Sequence, residues 1–111
     1  MTLFNPSAVT LLSWLLAVVF FGAGIVNAAG SAAIKDGFVR WGYPAWWCRV
    51  TGGLEMVTAL LIAVPATRLV GVILGTLIVV VAVATVVRHR DLSHLAPLGV
   101  FAALLILVAV P

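Results

Sequence analysis

Residues 67–87 read TRLVGVILGTLIVVVAVATVV. Valine, leucine and isoleucine fill this stretch almost without interruption, and Arg68 is its one charge. In water, such β-branched density would suggest a buried strand. Strands run to roughly eight residues, whereas a helix crossing a hydrocarbon core needs about 20 apolar ones. Length decides the reading in favour of a membrane helix.

The same pattern recurs on both sides. Residues 47–64 form a second apolar run that stops before Pro65, and residues 94–110 form another, with Pro97 tolerable in its first turn. Residues 7–29 carry no charge, and Asn5-Pro6-Ser7 supplies a cap and a first-turn proline. A cleaved signal peptide is the competing reading of this first run. It lacks a basic leader and is too long for a signal core, so the segment is expected to be retained.

The whole composition agrees. Of 111 residues, 65% are apolar and only 8% charged, against about 25% charged in a soluble domain. A chain this small leaves much of its surface facing solvent, so a soluble enzyme or nucleic-acid-binding module is excluded. The net charge of +3 sits between apolar runs rather than along an aromatic-interleaved stripe, so it speaks for membrane orientation, not nucleic acid. Cys48 is the one cysteine, and it reads as a small apolar filler.

Between the first two runs, Ile34, Phe38 and Trp41 recur at helical spacing while Lys35, Asp36 and Arg40 lie on other faces. That is the pattern of a short amphipathic helix, over about 31–41, lying at the membrane surface. Gly42-Tyr43-Pro44 then turns the chain, and Trp41, Tyr43, Trp46 and Trp47 read as an interfacial aromatic belt. The expected fold is a single all-α integral membrane domain: a four-transmembrane-helix bundle with one interfacial helix. Lys35, Arg40, Arg49, Arg88 and Arg90 fall on one side and only Arg68 on the other. The basic connections are therefore expected in the cytoplasm and both termini outside a cell membrane.

Glu55 is the informative position. It lies about eight residues, or roughly 12 Å, into the second run, near the middle of a hydrocarbon core about 30 Å thick. An acid at that depth should face the bundle interior. Cys48, Thr51, Gly52, Glu55, Thr58 and Ala59 share one small or polar stripe, matched on the first run by Ser13, Ala17, Phe20, Gly24, Asn27 and Ala28. Antiparallel packing would gather Asn27, Arg49, Glu55, Thr85, His89 and His94 in the same half of the membrane. A hydrogen bond to Asn27, a tryptophan N–H or a hydroxyl would give Glu55 a purely structural role; a working acid is the other reading. His89 and His94 read as connection histidines, and no metal-ligand spacing is present. Gly71 and Gly75 form a GxxxG match that serves packing within the chain or between copies.

The ordered set Phe21-Gly22-Ala23-Gly24, Phe38-Val39-Arg40-Trp41-Gly42-Tyr43-Pro44, Gly52-Gly53-Leu54-Glu55, Pro65-Ala66-Thr67-Arg68, Val83-Ala84-Thr85, His89-Arg90-Asp91 and Pro97 resembles the DoxX-like family of small four-span membrane proteins. The resemblance covers nearly the whole chain. It implies a compact four-helix membrane bundle and an association with redox or quinone chemistry, since the family includes a quinone-reducing thiosulfate oxidoreductase subunit. Family members often carry a lysine shortly after the first glycine-rich segment, where this chain has Asn27.

These readings converge on an intramembrane pocket for a lipophilic small molecule, quinone- or terpenoid-like. Glu55 and Asn27 form its working pair, with acid–base chemistry (isomerisation, cyclisation or epoxide opening) or a redox-linked role as the expected activity. Phe20, Gly24, Trp46, Trp47, Thr51, Gly52, Thr58, Thr85 and His89 are the candidate ligand-binding residues. Quinone is the one cofactor candidate. The expected partners are the bilayer, the lipophilic ligand, and a second copy of the chain or redox proteins. Two alternatives stand beside this. Small multidrug resistance proteins resemble the chain in length and hydropathy, which implies a proton-coupled transporter, but their acid lies in the first helix. A non-catalytic membrane subunit of a redox complex is the other.

Overall fold

The computed structural model describes residues 5–109. Five α-helices account for most of them: α1 (Pro6–Ala29), α2 (Ala32–Arg40), α3 (Trp47–Ala63), α4 (Arg68–Arg88) and α5 (Leu95–Ala109). Short 3-10 turns, Pro65–Thr67 and Leu92–His94, join α3 to α4 and lead into α5. Among the described residues, three stretches are long and apolar enough to cross a membrane: Pro6–Ala29, Pro65–Arg88 and Leu92–Ala109. At 17 residues, α3 is shorter than these. The end of the last expected run, Val110, lies outside the described residues.

Local chemistry sets the helix ends. The Asn5 side chain accepts the Ala8 N–H at 2.8 Å, and Pro6 occupies the first turn where its missing N–H costs nothing. Gly30 ends α1 with φ +63°, and its N–H donates to the Asn27 carbonyl. The Ser31 hydroxyl then accepts the Ile34 N–H and starts α2 at once. At the end of α3, the Thr67 hydroxyl donates to the Leu61 carbonyl and Arg68 Nε to the Ile62 carbonyl, so two of its last four carbonyls find side-chain donors.

Helix α3 packs between α1 and α4, and α5 closes the ring against α4 and α1. The tightest approach is between α1 and α3, where Gly24 and Gly52 face each other. A Cβ on Gly24 would lie 2.7 Å from the Gly52 carbonyl oxygen, and one on Gly52 2.5 Å from the Gly24 carbonyl oxygen. Side chains are excluded there, so the backbones touch. Gly71 and Gly75 are also turned inward, the first against Leu61 and Ile62, the second against Phe20 and Thr58. This resolves the GxxxG match as packing within the chain.

The apolar core fills one end of the bundle. Leu16, Phe20, Ala59, Ile62, Val72, Leu105 and Val108 are buried together at the end where the short Pro65–Thr67 turn joins α3 to α4. Outward faces are apolar too: Leu11 is 72% exposed, Val18 68% and Leu69 62%. Such a surface suits lipid rather than water. Toward the α2 end the four longer helices frame an open-sided space instead of packed side chains, with Val26, Leu77 and Val81 at its exposed margin.

Candidate functional site

That space is a cavity of about 710 Å³, within the usual range for a small-molecule site. All five helices contribute to it. Phe20 and Phe101 meet edge to face at 4.9 Å and form its floor, dividing it from the packed core. Leu74, Leu77, Ile78 and Leu98 make much of the wall apolar. The α2 segment lies across the opposite end, with Phe38, Trp41 and Tyr43 turned inward.

Glu55 stands on this wall, 7% exposed. Asn27 Nδ2 donates to Glu55 Oε1 at 2.5 Å. The Gly24–Gly52 approach holds this pair together, since each polar residue follows its glycine by three positions and so stays on the same helix face. Glu55 Oε2 and Asn27 Oδ1 take no partner among the described residues, and neither is sealed away from the cavity.

Thr51 and Trp47 continue the line one and two turns nearer the α2 end of α3, and both border the cavity. Thr85 faces them from α4. Its hydroxyl donates to the Val81 carbonyl at 2.8 Å and lies 2.8 Å from the Tyr43 hydroxyl. The Tyr43 ring stacks on Trp47, with centroids 6.3 Å apart and planes inclined by 15°.

Of the expected working pair and candidate ligand-binding residues, Phe20, Asn27, Trp47, Thr51, Glu55 and Thr85 line the cavity. The other candidates lie off it. Gly24 and Gly52 are taken up by the helix crossing, and Thr58 is buried with its hydroxyl on the Leu54 carbonyl. Trp46 is exposed and touches the site only through the edge of Trp47. His89 is exposed, its Nδ1 2.9 Å from the Thr85 carbonyl oxygen. Arg49 Nε and the Lys35 Cε come within 3.5 Å of where a Gly30 Cβ would stand, placing two cations at the C-terminal end of α1. There they offset the negative end of its dipole.

A polar knot at the cavity mouth is harder to read from sequence. Asp91 accepts from Arg40 Nη2 and Trp41 Nε1, both at 3.1 Å, and from the Ser93 hydroxyl at 3.2 Å. His94 Nε2 lies 3.6 Å away, with its ring against the edge of Trp41. Arg40, Trp41 and His94 all border the cavity. The signal was the lone acid among the bases of its connection, and its Arg40 and Trp41 partners are 51 and 50 residues distant. Among the described residues, no three His, Cys, Asp or Glu side chains gather as metal ligands.

Partial desolvation pushes the Asp91 carboxyl up, but the Arg40 and Trp41 hydrogen bonds, the His94 charge and the Ser93 hydroxyl outweigh it and hold it below its ordinary range. A depressed folded-state value means the knot's contribution is complete above the ordinary carboxylate range and is lost as pH falls through the lowered value. Hydrogen exchange of α2 amides in detergent should therefore speed up as pH falls below about 4, after correction for intrinsic exchange. Asp91→Asn should show the faster exchange at neutral pH and lose the acid dependence. Equal protection in wild type and variant at neutral pH would show that the knot does not hold α2 in place.

An all-helical bundle with lipid-suited faces, a cavity at one end and a single acid on its wall defines a small membrane-type helical protein. A family model described as the DoxX-like family matches residues 11–108, and the chain belongs to that family. No curated protein and no solved structure gives a match.

Proposed function

We propose that the chain is a four-span membrane protein whose cavity binds a lipophilic small molecule, quinone- or terpenoid-like, through Glu55 and Asn27. The observation carrying this is a carboxyl–amide pair on the wall of an otherwise largely apolar cavity, with one carboxylate and one amide oxygen left over. Helix α3 serves as the fourth span: its 17 residues rise about 26 Å, at the short end of the spanning range, and it is flanked by α1 and α4. Helix α2 lies at the interface, burying Gly37 and Phe38 while Asp36 and Arg40 stay exposed. The basic connections face the cytoplasm and the termini face outside.

Chemically, the carboxyl of Glu55 can donate or accept one proton at a carbonyl or hydroxyl of the guest, with Asn27 fixing its orientation. This suits acid–base chemistry on a terpenoid-like substrate, or proton exchange with a quinone. A scaffold assembled through the Gly71/Gly75 face has less support, because that face is occupied inside the chain.

The test is quenching of intrinsic tryptophan fluorescence by a dimethoxy-methyl-benzoquinone with an octyl tail, since Trp41 and Trp47 border the cavity. In Glu55→Leu, binding should weaken about tenfold or more while the helical signal and thermal midpoint show a folded protein. Unchanged affinity in a folded variant would refute the role of Glu55.

A further inference from the structure

The cavity has a second polar station, and its hydrogen atoms are already committed. Thr85 has one hydroxyl proton, and the Val81 carbonyl at 2.8 Å takes it. In the 2.8 Å contact with Tyr43, Thr85 is therefore the acceptor and Tyr43 the donor. The Tyr43 oxygen retains only accepting capacity. A guest group meeting it must bring its own proton.

The position of this station follows from α3. Trp47, on which Tyr43 stacks, precedes Glu55 by eight residues, or roughly 12 Å of helix. Between the two ends, Thr51 lines the same face, and its hydroxyl has no partner among the described residues. Ile78 and Leu98 contribute apolar wall.

We propose that the cavity selects a lipophilic molecule polar at both ends, with one oxygen at Glu55–Asn27 and a hydroxyl, not an ether or carbonyl, at Tyr43, beside Trp47 about two helical turns farther along α3. This rests on the pocket reading and narrows its ligand class. Tyr43 and Thr85 act as specificity-determining residues. A half-buried acceptor shut off from water by the guest, and left without a donor, penalises guests that end in a bare methyl or an ether.

Three probes that differ only at the tail test this: the same benzoquinone with an octyl, an 8-hydroxyoctyl or an 8-methoxyoctyl chain, each titrated by tryptophan quenching. In the wild type the hydroxyl-ended probe should bind about fivefold to tenfold tighter than the octyl probe, and the methoxy probe should show no gain. Within Tyr43→Phe, the hydroxyl-to-octyl ratio should fall to about one; using the ratio removes any general loosening of α2. Thr85→Val frees the Tyr43 proton, so there the methoxy probe should gain over octyl. Equal affinities of hydroxyl and octyl probes in the wild type would overturn the proposal, as would a gain that survives Tyr43→Phe. If binding still depends on Glu55 in that case, the pocket reading stands alone. Failure of all three probes to bind would overturn both.

Discussion

Gly52→Val is expected to destabilise the folded bundle by about 3 kcal/mol, the upper part of the usual range for overpacking. The reason is that nothing at this crossing can yield. The new Cβ would fall on the Ala28 backbone nitrogen, 2.5 Å from the Gly24 carbonyl oxygen and 2.9 Å from the Ala28 Cα. All three are main-chain atoms of α1, so relief requires the helices to separate. Gly53 is the internal control: it adjoins Gly52 on the same helix, yet a Cβ there meets nothing within 4 Å. Gly53→Val exchanges one helix-weakening residue for another and should change stability by less than about 1 kcal/mol. Reversible unfolding in mixed micelles gives both numbers. Equal effects of the two substitutions would mean that α1 and α3 do not meet at this glycine. Separation at Gly52 also carries Asn27 away from Glu55, so the variant should lose quinone quenching together with stability.

The helices were legible because apolar length is a strong signal, and even α2 followed from the spacing of Ile34, Phe38 and Trp41. The facing stripes on α1 and α3 were legible for the same reason: burial matches the pattern at Ser13, Ala17, Phe20 and Gly24, and at Cys48, Gly52, Glu55, Thr58 and Ala59. What the stripe did not reveal was which small residues make contact and which line space. Gly24, Gly52 and Thr58 all fit a ligand wall on paper, and only the interhelical distance assigns them to packing. The Tyr43–Thr85 contact spans 42 residues and the Trp41–Asp91 contact 50. Aromatic residues at an interface have a sufficient explanation as anchors, so nothing local pointed to either partner. The cavity itself depends on side chains filling one end of the bundle and not the other, a property of the assembled helices rather than of any one of them.

Asn27→Leu is expected to cost about 1–3 kcal/mol, because it removes the donor from a buried carboxyl oxygen and leaves that oxygen without a replacement. The double variant Asn27→Leu/Glu55→Leu should recover that loss and equal or exceed the wild type in stability. Replacing both members of a buried polar pair with apolar groups removes the desolvation penalty along with the bond. The two readings of Glu55 part here. A pair retained to hold α1 against α3 would leave the double variant at least as unstable as the single one. A pair retained to meet a guest leaves a stable bundle with an apolar wall that no longer binds the octyl quinone. The Gly24–Gly52 crossing already brings the two helices into backbone contact without help from the pair, and the packed core lies beyond Phe20 and Phe101. The bundle thus has its cohesion elsewhere, and the recovered stability of the double variant, with quenching lost, is the outcome these contacts predict.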